Sequence, residues 1–286
     1  MHARTLKWWS PVLWIVAGAM SASSASAGAP APQEFQTARE LLDALQTAGE
    51  DMQSLQAGVR YVRRMVLQGD EQTRQGELYF QWQDTPKESD GSDAVGAPHR
   101  QRVFAIRFDD LIVGRRREPD RQDWIFNGQW LIERRPDEKQ YVARQLAPEG
   151  EDIDPLRLGE GPMPIPIGQK TADVLARFHT ELVNPHAGLE EEASSIHEFV
   201  ADTWELKLTP INPDDADNDF REIRLWYDRA TLLPRLAKTI KRTGDEAFVQ
   251  LVHLRVNHSI PKRVFDITRP KKSDGWDVEI KEYHGS

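Results

Sequence analysis

The chain has 286 residues, 37 Lys and Arg against 46 Asp and Glu, a formal charge of −9, 39% hydrophobic residues and no cysteine. That length allows one large domain or two modest ones. The composition excludes a disulfide scaffold, a Cys-ligated metal site and a cysteine nucleophile, and it leaves no excess of positive charge for general nucleic-acid binding.

Residues 1–27 read as an export signal. His2, Arg4 and Lys7 form a short polar head, and Trp8 to Met20 is a mostly apolar run of 13 residues, shorter than the ~20 needed to span a bilayer. Ala25-Ser26-Ala27 has the small-x-small pattern of a cleavage site; an uncleaved anchor is the alternative. Cleavage near Ala27 removes Arg4 and Lys7, leaves −11 over 259 residues and places the protein in the periplasm. Residues 28–33 read as an Ala/Pro-rich linker, and 34–286 as a single domain.

Phe35, Ala38, Leu41, Leu42 and Leu45 recur at three- and four-residue steps and predict an amphipathic helix ending at Gly49. The period then becomes two. Val59 and Tyr61 alternate with Arg60, while Val62 and Val66 leave the face unsettled. Leu78, Phe80 and Trp82 form a half-buried strand. Asp84 to His99 (DTPKESDGSDAVGAPH) reads as a loop. Phe104, Ile106 and Phe108 alternate. Trp124 and Phe126 lead into Asn127-Gly128, a strong hairpin signal, with Trp130 and Ile132 leading out. Pro136 to Lys139 turns into a strand through Tyr141 and Ala143.

Gly161 to Gly168 sets Met163, Ile165 and Ile167 among three prolines. A second helix is predicted with Val174, Leu175, Phe178 and Leu182 on one side. Strands then resume through Trp204, Leu206 and Leu208; Ile223, Leu225 and Tyr227; Leu236 and Ile240; Phe248 to Val256; and Trp276 to Ile280. The expected fold is mainly β (α+β): a strongly curved antiparallel sheet or incomplete barrel of about ten strands, with two or more helices on its concave face.

Motifs for chemistry fail on inspection. In GPMPIPIGQKT the lysine does not follow the glycine directly, and prolines remove the amides a phosphate loop needs. Counting an EF-hand loop from Asp215 puts Phe220 where glycine is required and Trp226 where a glutamate is required. The eight histidines form no metal-binding spacing, and no serine lies in G-x-S-x-G. No catalytic residue, metal or cofactor is assigned. What remains is apolar: Tyr61, Leu78, Phe80, Trp82, Phe104, Ile106, Trp124, Phe126, Trp130, Trp204, Leu206, Leu225 and Tyr227 make large faces. They either fill the core or line a cavity able to hold a lipid chain, under a lid drawn from Leu41, Leu45, Met163, Ile165, Ile167, Val174 and Phe178.

The order of segments LLDALQTAGEDMQSL, QGELYFQW, DWIFNGQWLIERRPDEKQYVARQL and VNHSIPKRVFDITRP resembles the periplasmic outer-membrane lipoprotein carriers, the LolA-like family. Asn257, Pro261, Phe265 and Pro270 match the family's closing segment. The resemblance implies an incomplete barrel lidded by helices. It also implies a non-enzymatic, monomeric carrier that takes acyl chains from an inner-membrane donor to an outer-membrane acceptor. The chain departs from the family where an Arg-Pro pair is expected. Gln83-Asp84-Thr85-Pro86 stands there, and no match for a lid-latching arginine is visible. A lipid-responsive envelope-stress regulator on the same fold and an unrecognised periplasmic hydrolase are the competing readings. Burying methylenes contributes ~0.8 kcal/mol each, so a sixteen-carbon chain gains on the order of 12 kcal/mol before ordering costs.

Overall fold

The computed structural model describes residues 34–85, 99–146, 148, 158, 167–213 and 219–283. The leader and linker, Met163 and Ile165, most of the 84–99 loop and the acidic residues 214–218 lie outside the described residues.

Helix α1 (Ala38–Glu50) starts at a reciprocal cap. The Thr37 hydroxyl accepts from the Glu40 amide at 3.2 Å, and the Glu40 carboxylate accepts from the Thr37 amide at 3.2 Å. The strands are β1 (Ser54–Met65), β2 (Asp70–Thr85), β3 (His99–Val113), β4 (Arg116–Phe126), β5 (Trp130–Arg135), β6 (Gln140–Gln145), β7 (Phe178–Val183), β8 (Thr203–Pro210), β9 (Phe220–Asp228), β10 (Pro234–Lys241), β11 (Glu246–Val256) and β12 (Asp277–Lys281). Helices α2 (Thr171–Arg177) and α3 (Ser194–Val200) flank β7.

All twelve strands form one sheet, ordered β12-β6-β5-β4-β3-β2-β1-β11-β10-β9-β8-β7. β12 and β7 are its two edges and do not pair, so the sheet is an incomplete barrel. The first half of the chain fans out on one side of β1. The second half begins at the far edge and steps back until β11 pairs with β1, Tyr61 opposite Val249.

The structure refines the sequence expectations in four places. There are twelve strands among the described residues, where about ten were expected. β12 pairs with β6 in parallel, within a sheet otherwise antiparallel. The helix expected through Phe178 and Leu182 stops at Arg177, and those two residues belong to β7, paired with Pro210 and Leu206. A spacing of four puts residues on one face of either a helix or a strand, and pairing with β8 decided it. Finally, α3 lies on the outer face of the sheet rather than the concave one, its Val200 packed with Trp226 and Leu236.

The inner face carries the main core. Leu55, Leu78, Phe80, Phe104, Ile106, Leu206 and Leu225 meet Leu41 and Leu42 of α1 and Val174 of α2. The outer face is covered in two pieces. Val264, with Ile260, Phe265 and Ile267, covers Ala105, Ile125, Ile132 and Tyr141, and the Tyr141 hydroxyl donates to the Ile267 carbonyl at 2.8 Å. Leu189 and Val200 cover Val62, Trp226, Leu236 and Phe248. Val62 and Tyr61 thus face opposite sides of β1, which settles the ambiguity in the sequence pattern.

The second outer cover carries buried charge. The Trp226 indole donates to the Pro185 carbonyl at 2.8 Å, and Lys238 Nζ donates to the Gly188 carbonyl at 3.1 Å. Gly188, at φ +68°, lies so close to the Arg224 guanidinium that a Cβ has no room. Arg224 pairs with the fully buried Glu205 at 2.7 Å and also with Glu222. Glu205 Oε2 has no partner. Burial pushes the Glu205 carboxyl up to about 7, against the pull of Arg224. An acid with a raised folded pKa contributes stability below its ordinary value of 4.5, and that contribution is lost as pH rises through about 7. Glu205→Gln should therefore gain stability relative to wild type by roughly 2–3 kcal/mol between pH 5 and pH 8. Paired urea melts at the two pH values measure this; a pH-independent difference would refute it.

Candidate functional site

The inner face is not filled to its ends. A cavity of about 280 Å³ opens between the C-terminal half of α1 and the turn joining β9 to β10. Leu42, Leu45 and Ala48 form its helix wall, Leu225 and Tyr227 its floor, and Leu232, Leu233 and Pro234 its far wall; Met52, Val256 and Leu158 complete it.

Three features hold the helix over this groove. Residues 167–170 form a strap between β3 and α1. Arg102 Nη2, on β3, donates to the Gly168 carbonyl, and its guanidinium lies 4.9 Å above the Trp82 ring. Gln46 Oε1 of α1 accepts from the Thr171 amide at 2.9 Å. A Cβ on Gly49 would lie 3.2 Å from the Gly168 Cα, so helix and strap meet backbone to backbone. The exit of α1 is clamped by Asn257, whose Oδ1 accepts from the Gln53 amide at 2.7 Å and whose Nδ2 donates to the Asp51 carbonyl at 3.3 Å. Asn257 has φ +58°, a region where asparagine is enriched. At the other end of the helix the Phe35 ring packs edge-on against Trp204, centroids 5.4 Å apart.

Leu232 stands out. It has φ +57°, a left-handed conformation that costs a branched apolar residue stability and that Asn or Gly adopts more readily. Its side chain lines the groove. The turn thus holds a leucine where backbone energetics favour a polar residue or glycine.

The residues named from sequence separate into groups. Leu78, Phe80, Phe104, Ile106, Phe126 and Leu206 are at most 1% exposed and fill the inner core. Trp204 is buried under Arg229, 3.9 Å from its ring, and Trp82 is half-buried under Arg102. Leu225 and Tyr227 line the groove; Tyr61 and Trp124 line a second one farther along the same face. Trp130 lies on the outer face with Ile132, because Phe126 pairs with Leu131 and so shifts the parity of β5 by one residue. Of the lid residues, Leu45 and Ile167 line the groove, while Leu41, Val174 and Phe178 are core.

Sequence reasoning missed Arg102, Leu232 and Asn257's clamp. Arg102 had a legible signal: it shares a strand face with Phe104 and Ile106, and a charge on an apolar face needs a partner. Among the described residues, no helix is long and apolar enough to cross a membrane.

No protein-family model and no curated protein matches the chain. Several solved structures are similar in fold. An uncharacterized conserved protein from Thermus thermophilus matches at 12% identity over 86% of this chain and 99% of that one, with a TM-score of 0.42. A putative outer membrane lipoprotein-sorting protein domain from Vibrio parahaemolyticus matches at 13% identity over 80% and 96%, TM-score 0.33. The MucA/MucB complex structure from Pseudomonas aeruginosa matches at 18% identity over 81% of this chain and 61% of that one, TM-score 0.36.

The strap makes a prediction. Arg102→Leu removes the charged donor to Gly168, an interaction of roughly 1.5–3 kcal/mol. Limited proteolysis should then cut within residues 167–170 at least tenfold faster than in wild type, with cleavage elsewhere unchanged. A uniform increase would show general destabilisation instead.

Proposed function

We propose that this protein is an exported, soluble carrier that holds an acyl chain of a lipoprotein or lipid in the groove beneath α1 and releases it toward the outer membrane. In this reading residues 1–27 are the export signal, residues 34–286 are the carrier domain, and the protein acts as a monomer by binding rather than catalysis. The observation that carries the reading is the apolar groove left open between α1 and the β9–β10 turn, at the end of a sheet that does not close. The residue-order resemblance to LolA-like carriers points the same way.

Size sets the mechanism. About 280 Å³ is near the lower limit of ~300 Å³ for ligand pockets. At ~30 Å³ per water-sized group it takes about nine such groups, roughly half of a sixteen-carbon chain. A full chain enters only if α1 or the strap moves outward. The cost of displacing that apolar surface offsets part of the ~0.8 kcal/mol gained per methylene. A carrier needs that offset, since cargo held at full strength is never released.

The test is native mass spectrometry of the full chain purified from the cell envelope. Co-purifying acyl species support the reading; a protein that is always empty and takes up no acyl probe sinks it. Cargo that stays bound in the presence of outer-membrane vesicles would indicate the lipid-responsive regulator instead of the carrier. Leu232→Asn should lower affinity for a fluorescent fatty-acyl probe about tenfold while leaving the melting temperature unchanged or higher, since asparagine suits φ +57° better than leucine. An equal loss of affinity and of melting temperature would mark Leu232 as ordinary core.

A further inference from the structure

A second cavity, of about 300 Å³, opens on the inner face at the other end of β1 and β11. The first groove touches Met52, just before β1, and Val256, at the end of β11; the second touches Tyr61, Arg63, Arg64, Met65 and Ala247, at their opposite ends. Its floor is an aromatic cluster. Tyr61 stacks on Phe108 with centroids 6.1 Å apart, and Trp124 meets Phe108 edge-on at 5.6 Å and Tyr61 at 6.2 Å.

The polar groups of this cavity are distinctive. The Trp124 indole N–H is buried without a hydrogen-bond partner. Tyr61 is 7% exposed, and its hydroxyl makes no hydrogen bond among the described residues. Arg63 sits on the same strand face at the mouth and has no carboxylate partner among the described residues. Burial pushes the Tyr61 phenol up, and the charges of Arg63 and Arg74 pull it back, so the positive field reaches the floor. Arg74 is engaged by Asp120. The acids on the wall are also engaged: Asp245 accepts from the Val66 amide at 3.0 Å, and Glu246 pairs with Lys238 at 3.3 Å and Arg64 at 3.5 Å. Lys241 pairs with Asp219 at 3.4 Å. The unsatisfied groups are therefore donors, set over apolar and aromatic walls that include Phe220 and Ala247.

A buried donor left without an acceptor is costly, and a cavity that sets one, the Trp124 indole, beside a guanidinium without a carboxylate partner among the described residues selects a ligand rich in acceptor oxygens. From these donor-bearing residues lining one cavity over an aromatic floor we infer that the second cavity binds the anionic head of a single-chain amphiphile, a carboxylate or a phosphate monoester. Arg63 meets the charge, the Tyr61 hydroxyl and Trp124 indole donate to its oxygens, and the first methylenes lie against Trp124 and Phe220. The site is separate from the acyl groove under α1 and does not depend on that groove's function.

The test is equilibrium binding of dansyl-undecanoic acid and of dodecyl phosphate to the full chain, with the methyl ester of the first probe as the neutral control. Wild type should bind both anions at least tenfold more tightly than the ester. Arg63→Gln, at an exposed position that leaves the core intact, should weaken both anions about tenfold and leave the ester unchanged; Tyr61→Phe should act in the same direction. Leu232→Asn in the other groove should leave the anion preference intact. If only one anion responds to Arg63→Gln, the responding probe identifies which head the site takes. Equal affinity for acid and ester, an Arg63→Gln variant that binds all probes like wild type, or loss of the anion preference in Leu232→Asn would each overturn the inference.

Discussion

A curved sheet that never closes must cover its own concave face. In a sandwich or a closed barrel, side chains from opposite strands meet and fill the interior. Here β12 and β7 stay apart, so the apolar inner surface is covered by whatever the chain lays across it. Among the described residues that cover is the 13-residue α1, the short α2 and a strap, and two grooves stay open beside it. Both grooves open on the inner face, and Leu232 lines the first of them.

The cover is held by few and separable contacts. Leu41 and Leu42 anchor the middle of α1 in the core. Its exit is clamped by Asn257, and its flank by Gln46, the Gly49–Gly168 approach and Arg102. The outer face is different in kind. Its two covers bury Trp226 and Val264 and tie charges such as Lys238 and Arg224 to backbone and carboxylate oxygens, so the sheet itself is braced from outside. The two faces of the sheet are thus secured differently, the outer one by buried charge and the inner one by the core side chains and backbone contacts of α1 and the strap.

The two grooves differ chemically although they share one sheet face. The groove beneath α1 is walled by Leu42, Leu45, Leu225 and Leu233, and the asparagine at its edge is already saturated by the backbone. The groove at the far end is lined by Trp124, whose buried indole N–H has no acceptor among the described residues, and by Tyr61 and Arg63. One end is lined mainly by hydrocarbon, the other carries an unpartnered indole donor beside charged side chains.

The alternation of apolar residues in Leu78 to Trp82, Phe104 to Phe108 and Trp204 to Leu208, the Asn127-Gly128 hairpin and the stripe of α1 were legible because they are local: strand and helix periods and turn chemistry act over a few residues. From them the mainly β class, the curvature and the inner helix were readable. Four things were not local. Phe178 and Leu182 fit either period, and only pairing with β8 made them a strand. Trp130 took the outer face because the hairpin loop shifted its parity relative to Phe126. Arg102 became a latch only when Gly168, 66 positions away, came beside it. Leu225 lines a groove while Leu206, paired with it across the sheet, is plain core, because the helix above ends where it does. Sequence alone determined which residues are apolar and how often they recur. The tertiary structure decided which of those apolar surfaces are covered, because cover depends on long-range packing that no local period encodes.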